Sequence, residues 1–162
     1  MENLKKLIPI ALLALFSSCN NSDDSNYQEI ATYPNVTATF GSKIDLNNLY
    51  NYANQTVPAY ITKNNAVGST ITNAGATLGR VLFYDKNLSS NNTISCASCH
   101  LQSNAFGDTA VASIGVNGTT GRHSMRLINN RFGNEGKYFW NERAANLETQ
   151  STMPIKDHNE MG

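Results

Sequence analysis

Ser95-Cys96-Ala97-Ser98-Cys99-His100 is the stretch that decides the fold of this chain. Two cysteines separated by two residues, with a histidine directly after the second, form the attachment motif of a c-type haem. The thiols bind the haem vinyl groups as thioethers, and the imidazole becomes an axial ligand of the iron. We therefore predict a covalent haem c on Cys96 and Cys99, with His100 as the proximal iron ligand.

Two other uses of a C-x-x-C pair compete with the haem. A zinc site of this class needs a second pair of ligands about 12–20 residues away, but no cysteine follows Cys99. A thioredoxin-like dithiol is the other alternative. The histidine directly after Cys99 favours the haem, and zinc and dithiol chemistry stay as the alternative interpretations.

The N-terminus has the composition of an export signal. Lys5 and Lys6 form a short positive region, residues 7–16 are mainly apolar, and two serines precede Cys19. The apolar run is too short for a bilayer, which requires about 20 residues. Small residues before a cysteine resemble a bacterial lipobox, so we predict a lipoprotein-type signal peptide over 1–18 and a membrane-anchoring lipid on Cys19. An ordinary secreted protein with an unpaired cysteine is the alternative.

Charge and cysteine content narrow the class of protein further. The chain of 162 residues carries 12 basic and 12 acidic side chains, a formal net charge of zero. No basic cluster is present to neutralise phosphates, so we expect no nucleic acid partner. If one of the three cysteines carries lipid and two carry haem, no disulfide framework can form. We expect a protein of the periplasm or cell envelope, where c-type haem is assembled.

The segment before the haem motif divides into a tether and an arm. Residues 19–29 are polar and acidic, which is typical of a flexible tether. Residues 30–71 have a weak pattern, and we predict a packing arm that wraps the following domain. Four residues of this arm recur at helical spacing, and Pro58 would end or kink a helix there: Leu46, Leu49, Tyr50 and Ala53.

The clearest helix of the chain lies between Thr72 and Asp85. Thr72 or Asn73 can cap its start, and Ser95 can cap a short helix that carries the cysteines. Four apolar residues of the longer helix are expected on one face: Ala74, Leu78, Val81 and Leu82. Three evenly spaced glycines at 115–121 predict a mobile loop without a preceding strand, so we do not expect a phosphate-binding loop.

Several motifs, in the same order, resemble the N-terminal half of the bacterial di-haem cytochrome c peroxidases, the family that includes the MauG-type enzymes. The resemblance covers 72–162 and rests on LGRVLFYD (78–85), SCASCH (95–100), AFGD (105–108), RHSM (122–125), FWNERA (139–144), LETQ (147–150) and EMG (160–162). It implies a mainly α fold. More specifically, it implies a class I cytochrome c-like haem domain over 72–162, with long loops and the N-terminal wrapping arm.

The resemblance also implies three residues of a peroxide site. Trp140 corresponds to a family tryptophan that lies between two haems and is thought to carry electrons. Gln150 and Glu160 correspond to a glutamine and a glutamate of the family's peroxide pocket. Peroxide reduction moves a proton between oxygens, which suits a carboxylate, so Glu160 is the expected general acid/base. Gln150 would hold peroxide or water by hydrogen bonds.

Further side chains are candidates for contact with the iron, with Glu160 or with the haem propionates. His123 is a candidate distal ligand, with Met125 as the alternative. His158 either tunes Glu160 or lies exposed in its loop. Three arginines are candidates for pairing with the haem propionates: Arg122, Arg126 and Arg143.

The function implied by the resemblance is reduction of hydrogen peroxide to water with electrons from a small c-type cytochrome or a similar donor. The alternatives are a mono-haem electron-transfer module and a MauG-like oxidase that acts on a protein partner. A tyrosine distal ligand would mark the oxidase, and none lies between Gly107 and Lys137.

Members of the family carry a second haem in a C-terminal domain, and this sequence contains no second C-x-x-C-H. A fragment, a truncated gene product and a second haem supplied by a separate chain are the interpretations we expect. Calcium at the domain interface and a homodimer are further expectations.

Overall fold

The structure is a computed structural model that describes residues 30–66, 68–133 and 136–162. The predicted signal peptide and tether, including Cys19, lie outside the described residues. No helix in the described ranges is both long and apolar enough to span a membrane. The chain forms two compact units, with the boundary between Asn47 and Asn48.

The first unit, described from Ile30, contains helix α1 (Pro34–Phe40) and a 3-10 turn (Gly41–Lys43). Pro34 occupies the first turn of α1. Backbone N–H groups in the first turn have no partner within the helix, so proline, which lacks this group, costs nothing there. The side-chain amide of Asn47 donates a hydrogen bond to the carbonyl oxygen of Ala31 at 3.0 Å. The sequence pattern did not indicate this helix.

The second unit begins with an irregular segment, although helical spacing was noted across residues 46–53. The backbone N–H groups of Tyr52 and Ala53 both donate to the side-chain oxygen of Asn73, each at 2.9 Å. Residues 44–53 form no helix. We attribute this to these amides being bound by the start of the next helix rather than by the preceding turn.

Helix α2 (Asn73–Tyr84) confirms the predicted helix. Thr72 is its N-cap, and the threonine hydroxyl accepts a hydrogen bond from the backbone N–H of Gly75 at 3.0 Å. The predicted apolar face is mostly wrong, because three of its four residues are exposed, Ala74, Leu78 and Leu82, with Leu78 at 58%. Phe83 is turned inward instead, and its ring lies 6.0 Å from the ring of Phe106.

The cysteines lie on the short helix α3 (Cys96–Cys99), and Ser95 is its N-cap, as predicted. The hydroxyl of Ser98 accepts a hydrogen bond from the backbone N–H of Ser95 at 3.1 Å. The Ser95 side chain binds the backbone N–H of Ser98 in return, so the two serines form a capping box. Ser95 itself is buried, so the start of the haem motif is held inside the unit.

The glycine-rich segment contains a hairpin, so the expectation that no strand precedes these glycines is wrong. Strand β1 (Ile114–Gly115) pairs antiparallel with β2 (Gly118–Thr119), with Ile114 opposite Thr119. Gly118 has φ +121°, a conformation that glycine adopts without a steric penalty. The glycines therefore serve a tight turn.

The last part of the unit consists of helix α4 (Leu147–Thr152), a 3-10 turn (Pro154–Lys156) and an irregular C-terminal stretch. The Asn146 side chain caps α4 by accepting a hydrogen bond from Thr149 N–H at 2.7 Å. The carbonyl oxygen of Glu160 accepts a hydrogen bond from Val116 N–H at 3.0 Å. The hairpin thus holds the backbone that carries Glu160.

Residues 48–71 contact two later parts of the same unit. The backbone N–H of Asn65 donates to Arg131 O at 2.7 Å, and its side-chain amide donates to Gly133 O at 2.8 Å. The hydroxyl of Ser69 donates to the carboxylate of Glu148 at 2.7 Å. These bonds attach this segment to the loop before the FWNERA motif and to α4. Wrapping by the whole arm, 30–71, stays a prediction.

Gly115 lies where β1 crosses the Glu160 segment, and a Cβ there would overlap the carbonyl oxygen of Asn159. We expect Gly115→Ala to lower the free energy of unfolding by about 1–3 kcal/mol, because the clash is with backbone. Gly121→Ala is the control, since a Cβ at that position meets no atom within 4 Å. Chemical unfolding of both variants tests this, and equal midpoints would contradict it.

Candidate haem site

A cavity of about 840 Å³ lies in the second unit. This volume is within the range of cofactor sites, about 300–1,000 Å³. Its walls include the predicted haem-binding residues and the predicted peroxide-site residues: Cys96, Cys99, His100, His123, Trp140, Gln150 and Glu160. Met125 and three arginines also line it: Arg122, Arg126 and Arg143. His158 is exposed and is not part of the wall.

Few apolar side chains fill the interior around this cavity. Among the described residues, only two apolar side chains are buried: Ala144 and Met161. The apolar part of the cavity wall includes Phe83, Ile94 and Leu127. A flat apolar ring system bound here would supply the missing core, as we expect for a haem.

The ring of His100 is held in the orientation that an iron ligand needs. Its Nδ1 lies 2.8 Å from the carbonyl oxygen of Phe106. An imidazole that donates from Nδ1 keeps the lone pair of Nε2 free for a metal. The carbonyl faces the ring because Ala105 and Phe106 both have a left-handed backbone, with φ +57°. The loop after the motif therefore selects the ligating tautomer.

The two thiols are half-buried and are not joined in a disulfide. Burial raises the pKa of both, and for Cys99 a hydrogen bond with Ser113 opposes the rise while the charge of Asp108 adds to it. Thiols with a raised pKa stay protonated at neutral pH, unlike the thiolates of redox dithiols. No three His, Cys, Asp or Glu side chains in the described ranges are grouped to hold a metal ion, so the zinc alternative gains no support.

His123 and Trp140 are linked through the backbone. The indole N–H of Trp140 donates to the carbonyl oxygen of His123 at 2.9 Å. Nδ1 of His123 lies 2.7 Å from the carbonyl oxygen of Ala110, which leaves Nε2 available when Nδ1 is the donor. The distal-ligand role of His123 stays a prediction, with Met125 of the same wall as the alternative.

The carboxyl group of Glu160 is half-buried and lies near one acidic and one basic side chain. Burial raises the pKa of its carboxyl group, the nearby Asp157 raises it further, and Arg143 opposes the rise. A carboxyl group with a raised pKa is better placed to accept and return a proton near neutral pH. Gln150 projects from α4 into the same wall and carries no charge.

We expect Glu160→Gln to increase the free energy of unfolding at neutral pH. Because the native pKa of Glu160 is raised, its ionised form is penalised in the folded state, and this penalty disappears below the unfolded pKa of about 4.3. The stabilisation should therefore decrease as the pH falls. The measurement compares the unfolding midpoints of haem-loaded wild type and Glu160→Gln between neutral pH and about pH 4.

Glu148→Gln is the matched control for this pH series. The hydrogen bond from Ser69 lowers the pKa of Glu148, so its ionised form is favoured in the folded state. Its substitution should be neutral or destabilising at neutral pH. A Glu160→Gln protein that is less stable than wild type at neutral pH would contradict the pKa argument.

Tyr138 is a wall residue that the sequence analysis missed. Its hydroxyl oxygen is buried and has no hydrogen-bond partner among the residues that the structure describes. Leaving a buried hydroxyl unpaired costs about 1–3 kcal/mol. The only signal in the sequence is its position directly before the FWNERA motif.

Comparison with known proteins places this site in a family. The family model for di-haem cytochrome c peroxidase matches residues 73–162, more than half of the chain. The chain belongs to the di-haem cytochrome c peroxidase family. Membership implies haem c and an oxidoreductase, and it confirms the resemblance drawn from the motifs.

Individual members of the family match the same region. The chain is 39% identical over 77 residues to the cytochrome c peroxidase Ccp of Escherichia coli, which covers 48% of this chain and 16% of that protein. It is 34% identical over 85 residues to the methylamine utilization protein MauG of Methylorubrum extorquens, with 52% and 24% covered. The chain therefore spans less than a quarter of the length of these two peroxidase-family relatives.

A solved structure supports the cytochrome c-like fold. The crystal structure of a MauG-like protein associated with microbial copper homeostasis matches with a TM-score of 0.60 and 38% identity. The match covers 67% of this chain and 32% of the MauG-like chain.

The residues of this di-haem peroxidase relative fit a haem c. Two thiols lie two residues apart, and His100 offers an unblocked Nε2 above a cavity of suitable volume. The arginines of the wall suit the carboxylates at the polar edge of a haem. Cys96, Cys99 and His100 are thus the predicted holders of the group.

Proposed function

We propose that this protein reduces hydrogen peroxide to water with electrons from a small c-type cytochrome or a similar donor. The observation that carries the proposal is that one cavity is lined by His100, Gln150 and Glu160. A predicted haem ligand, a carboxylate that can transfer a proton and an amide that can bind peroxide therefore share one space. Membership in the di-haem peroxidase family supports the same chemistry.

The proposed reaction consumes one hydrogen peroxide, two electrons and two protons, and it yields two waters. The haem, when bound, delivers the electrons to peroxide. Glu160 accepts a proton from one peroxide oxygen and returns it to the other, which leaves as water. The raised pKa of Glu160 supports this role, since the group needs both protonation states within reach. Gln150 orients peroxide by donating and accepting hydrogen bonds.

Trp140 is our proposed route for the incoming electrons. Its side chain lines the cavity and is 59% exposed. The hydrogen bond to His123 O fixes one edge of the indole. A ring held in this way beside the cavity is suited to pass electrons to a haem bound there.

A MauG-like oxidase acting on a protein partner is the second candidate function. The similarity to the MauG-like structure favours it, and so does a tyrosine in the wall. No tyrosine lies between Gly107 and Lys137, but Tyr138 follows directly and its ring lines the cavity.

The test uses the protein expressed from its complete gene in a periplasm that matures c-type haem. Peroxide is added with a reduced c-type cytochrome, and cytochrome oxidation is followed. We expect two cytochromes oxidised per peroxide, as the electron balance requires. Oxidation of a protein partner without cytochrome turnover would favour the oxidase. A reduced form that neither reacts with peroxide nor binds cyanide would favour the mono-haem electron-transfer module.

We further propose that the protein is attached to the cell envelope by a lipid on Cys19. The apolar run followed by small residues and a cysteine supports this proposal. Cys19→Ser should move the protein from the membrane fraction to the soluble periplasmic fraction, and unchanged fractionation would contradict the anchor. Calcium at a domain interface and a homodimer stay predictions.

A further inference from the structure

We propose that Asp157 is a positioning residue for the peroxide reaction, and that its side chain holds Glu160 in place through hydrogen bonds to the backbone. The inference rests on the proposed function, because Asp157 has this role only if Glu160 transfers a proton at the cavity. It adds to the effect of the Asp157 charge a separate effect of the Asp157 side chain as a hydrogen-bond acceptor.

Asp157 accepts hydrogen bonds from four successive backbone N–H groups. Its side-chain Oδ1 accepts from Asn159 N–H at 2.9 Å and from Glu160 N–H at 3.1 Å. Its carbonyl oxygen accepts from Met161 N–H at 3.2 Å and from Gly162 N–H at 2.8 Å. Aspartate side chains that bind backbone N–H groups two residues ahead stabilise a turn. The turn over 157–162 is therefore held by both the backbone and the carboxylate of one residue.

The carbonyl groups of this turn are bound to two other parts of the same unit. Glu160 O accepts from Val116 N–H at 3.0 Å, and Met161 O accepts from Ser90 N–H at 2.8 Å. The side chain of Met161 is buried, whereas that of Glu160 lines the cavity. With its N–H bound to Asp157 and its C=O bound to the hairpin, the backbone on both sides of Glu160 is fixed. These contacts direct its side chain to the cavity wall.

Proton transfer makes the position of this carboxylate important. A general acid/base has to lie within hydrogen-bond distance of the atom that it serves. A displacement of about 1 Å at a reacting group can slow a reaction about 100-fold. Loss of the Asp157 side chain would release Glu160 N–H and so allow such a displacement. The predicted haem-binding residues lie at 96–100, outside this turn, so haem attachment should not depend on Asp157.

Two substitutions separate the hydrogen bonds of Asp157 from its charge. Asp157→Asn keeps a side-chain oxygen that accepts N–H bonds but removes the negative charge, and Asp157→Ala removes both. Asp85→Ala is the matched control, because Asp85 Oδ1 accepts Asn87 N–H at 2.9 Å in a similar turn and does not line the cavity. Peroxide-dependent oxidation of a reduced c-type cytochrome is measured per haem and across pH, with the haem-loaded protein expressed from its complete gene.

The rates should follow the hydrogen bonds. We expect kcat of Asp157→Ala to fall about 10-fold or more, with a smaller change in the KM for peroxide and an unchanged haem content. Asp157→Asn should keep most of the wild-type kcat, because its side-chain oxygen retains the turn. Asp85→Ala should have the wild-type kcat, since its turn lies away from the cavity.

The pH profile should follow the charge instead. The negative charge of Asp157 raises the pKa of Glu160, Arg143 opposes this rise, and Cys99, also close to Glu160, is a thioether in the haem-loaded protein. Both substitutions of Asp157 remove the negative charge. The increase of activity with pH that reports ionisation of Glu160 should therefore move to lower pH in both variants and stay unchanged in Asp85→Ala.

Four results would overturn the positioning role. They are a wild-type kcat in Asp157→Ala, an equal loss in Asp85→Ala, equal losses in the two Asp157 variants, and a slow Asp157→Asn protein with normal haem content. The last result decides the matter even where Asp157→Ala does not fold. A wild-type protein that does not consume peroxide would instead refute the proposed function, so the two failures are distinguishable.

Discussion

Glu160→Gln is expected to slow peroxide-dependent oxidation of the reduced donor about 100-fold or more. Glutamine keeps the size of the side chain and its hydrogen bonding but cannot accept the proton. A 100-fold loss corresponds to about 2.7 kcal/mol in the activation barrier. Covalent haem content should not change, because the haem is held by Cys96, Cys99 and His100. Steady-state rates per haem provide the measurement.

Glu148→Gln is the matched control for this rate. Glu148 lies on α4, the helix that also carries Gln150, but its carboxylate binds Ser69 and does not line the cavity. This variant should keep wild-type turnover. A Glu160→Gln enzyme with wild-type turnover would show that Glu160 is not the proton shuttle.

Replacing Cys96 and Cys99 together by serine is expected to abolish covalent haem attachment. Serine hydroxyls do not form the thioether bonds that a thiol forms with a vinyl group. A haem-stained denaturing gel should show a band for wild type and none for the double variant. Cys19→Ser is the matched cysteine control, and its band should remain because Cys19 lies outside the haem motif. A haem-staining band in the double variant would contradict attachment at this motif.

The local features of the fold could be predicted from the sequence. Helix α2 and its cap at Thr72 follow from helical periodicity and from a hydroxyl at the N-cap position. The N-cap role of Ser95 could be predicted in the same way, because a capping side chain binds backbone N–H groups within three residues. The direction of the buried face was harder to predict. Leu78 is exposed while Phe83 faces Phe106, because the packing partner decides which of two adjacent apolar stripes is covered.

That the motif residues lie around one cavity could be predicted from the sequence, but their contacts could not. The motifs pointed to Trp140, Gln150 and Glu160. All three line the same cavity as the cysteines and histidine of the haem motif. The bond from His100 to a backbone carbonyl has no sequence signature, since every residue has that carbonyl and only the left-handed turn directs it. Tyr138 was missed for a similar reason, because an unpaired hydroxyl is a property of the tertiary structure.

The pyridine haemochrome spectrum of the purified protein tests the central claim most directly. The protein is matured in a periplasm competent for haem c and is denatured and washed free of unbound haem before the measurement. We predict a c-type spectrum with one haem for the motif at Cys96, Cys99 and His100. A spectrum without c-type haem would contradict the assignment of the cavity and every role that depends on it.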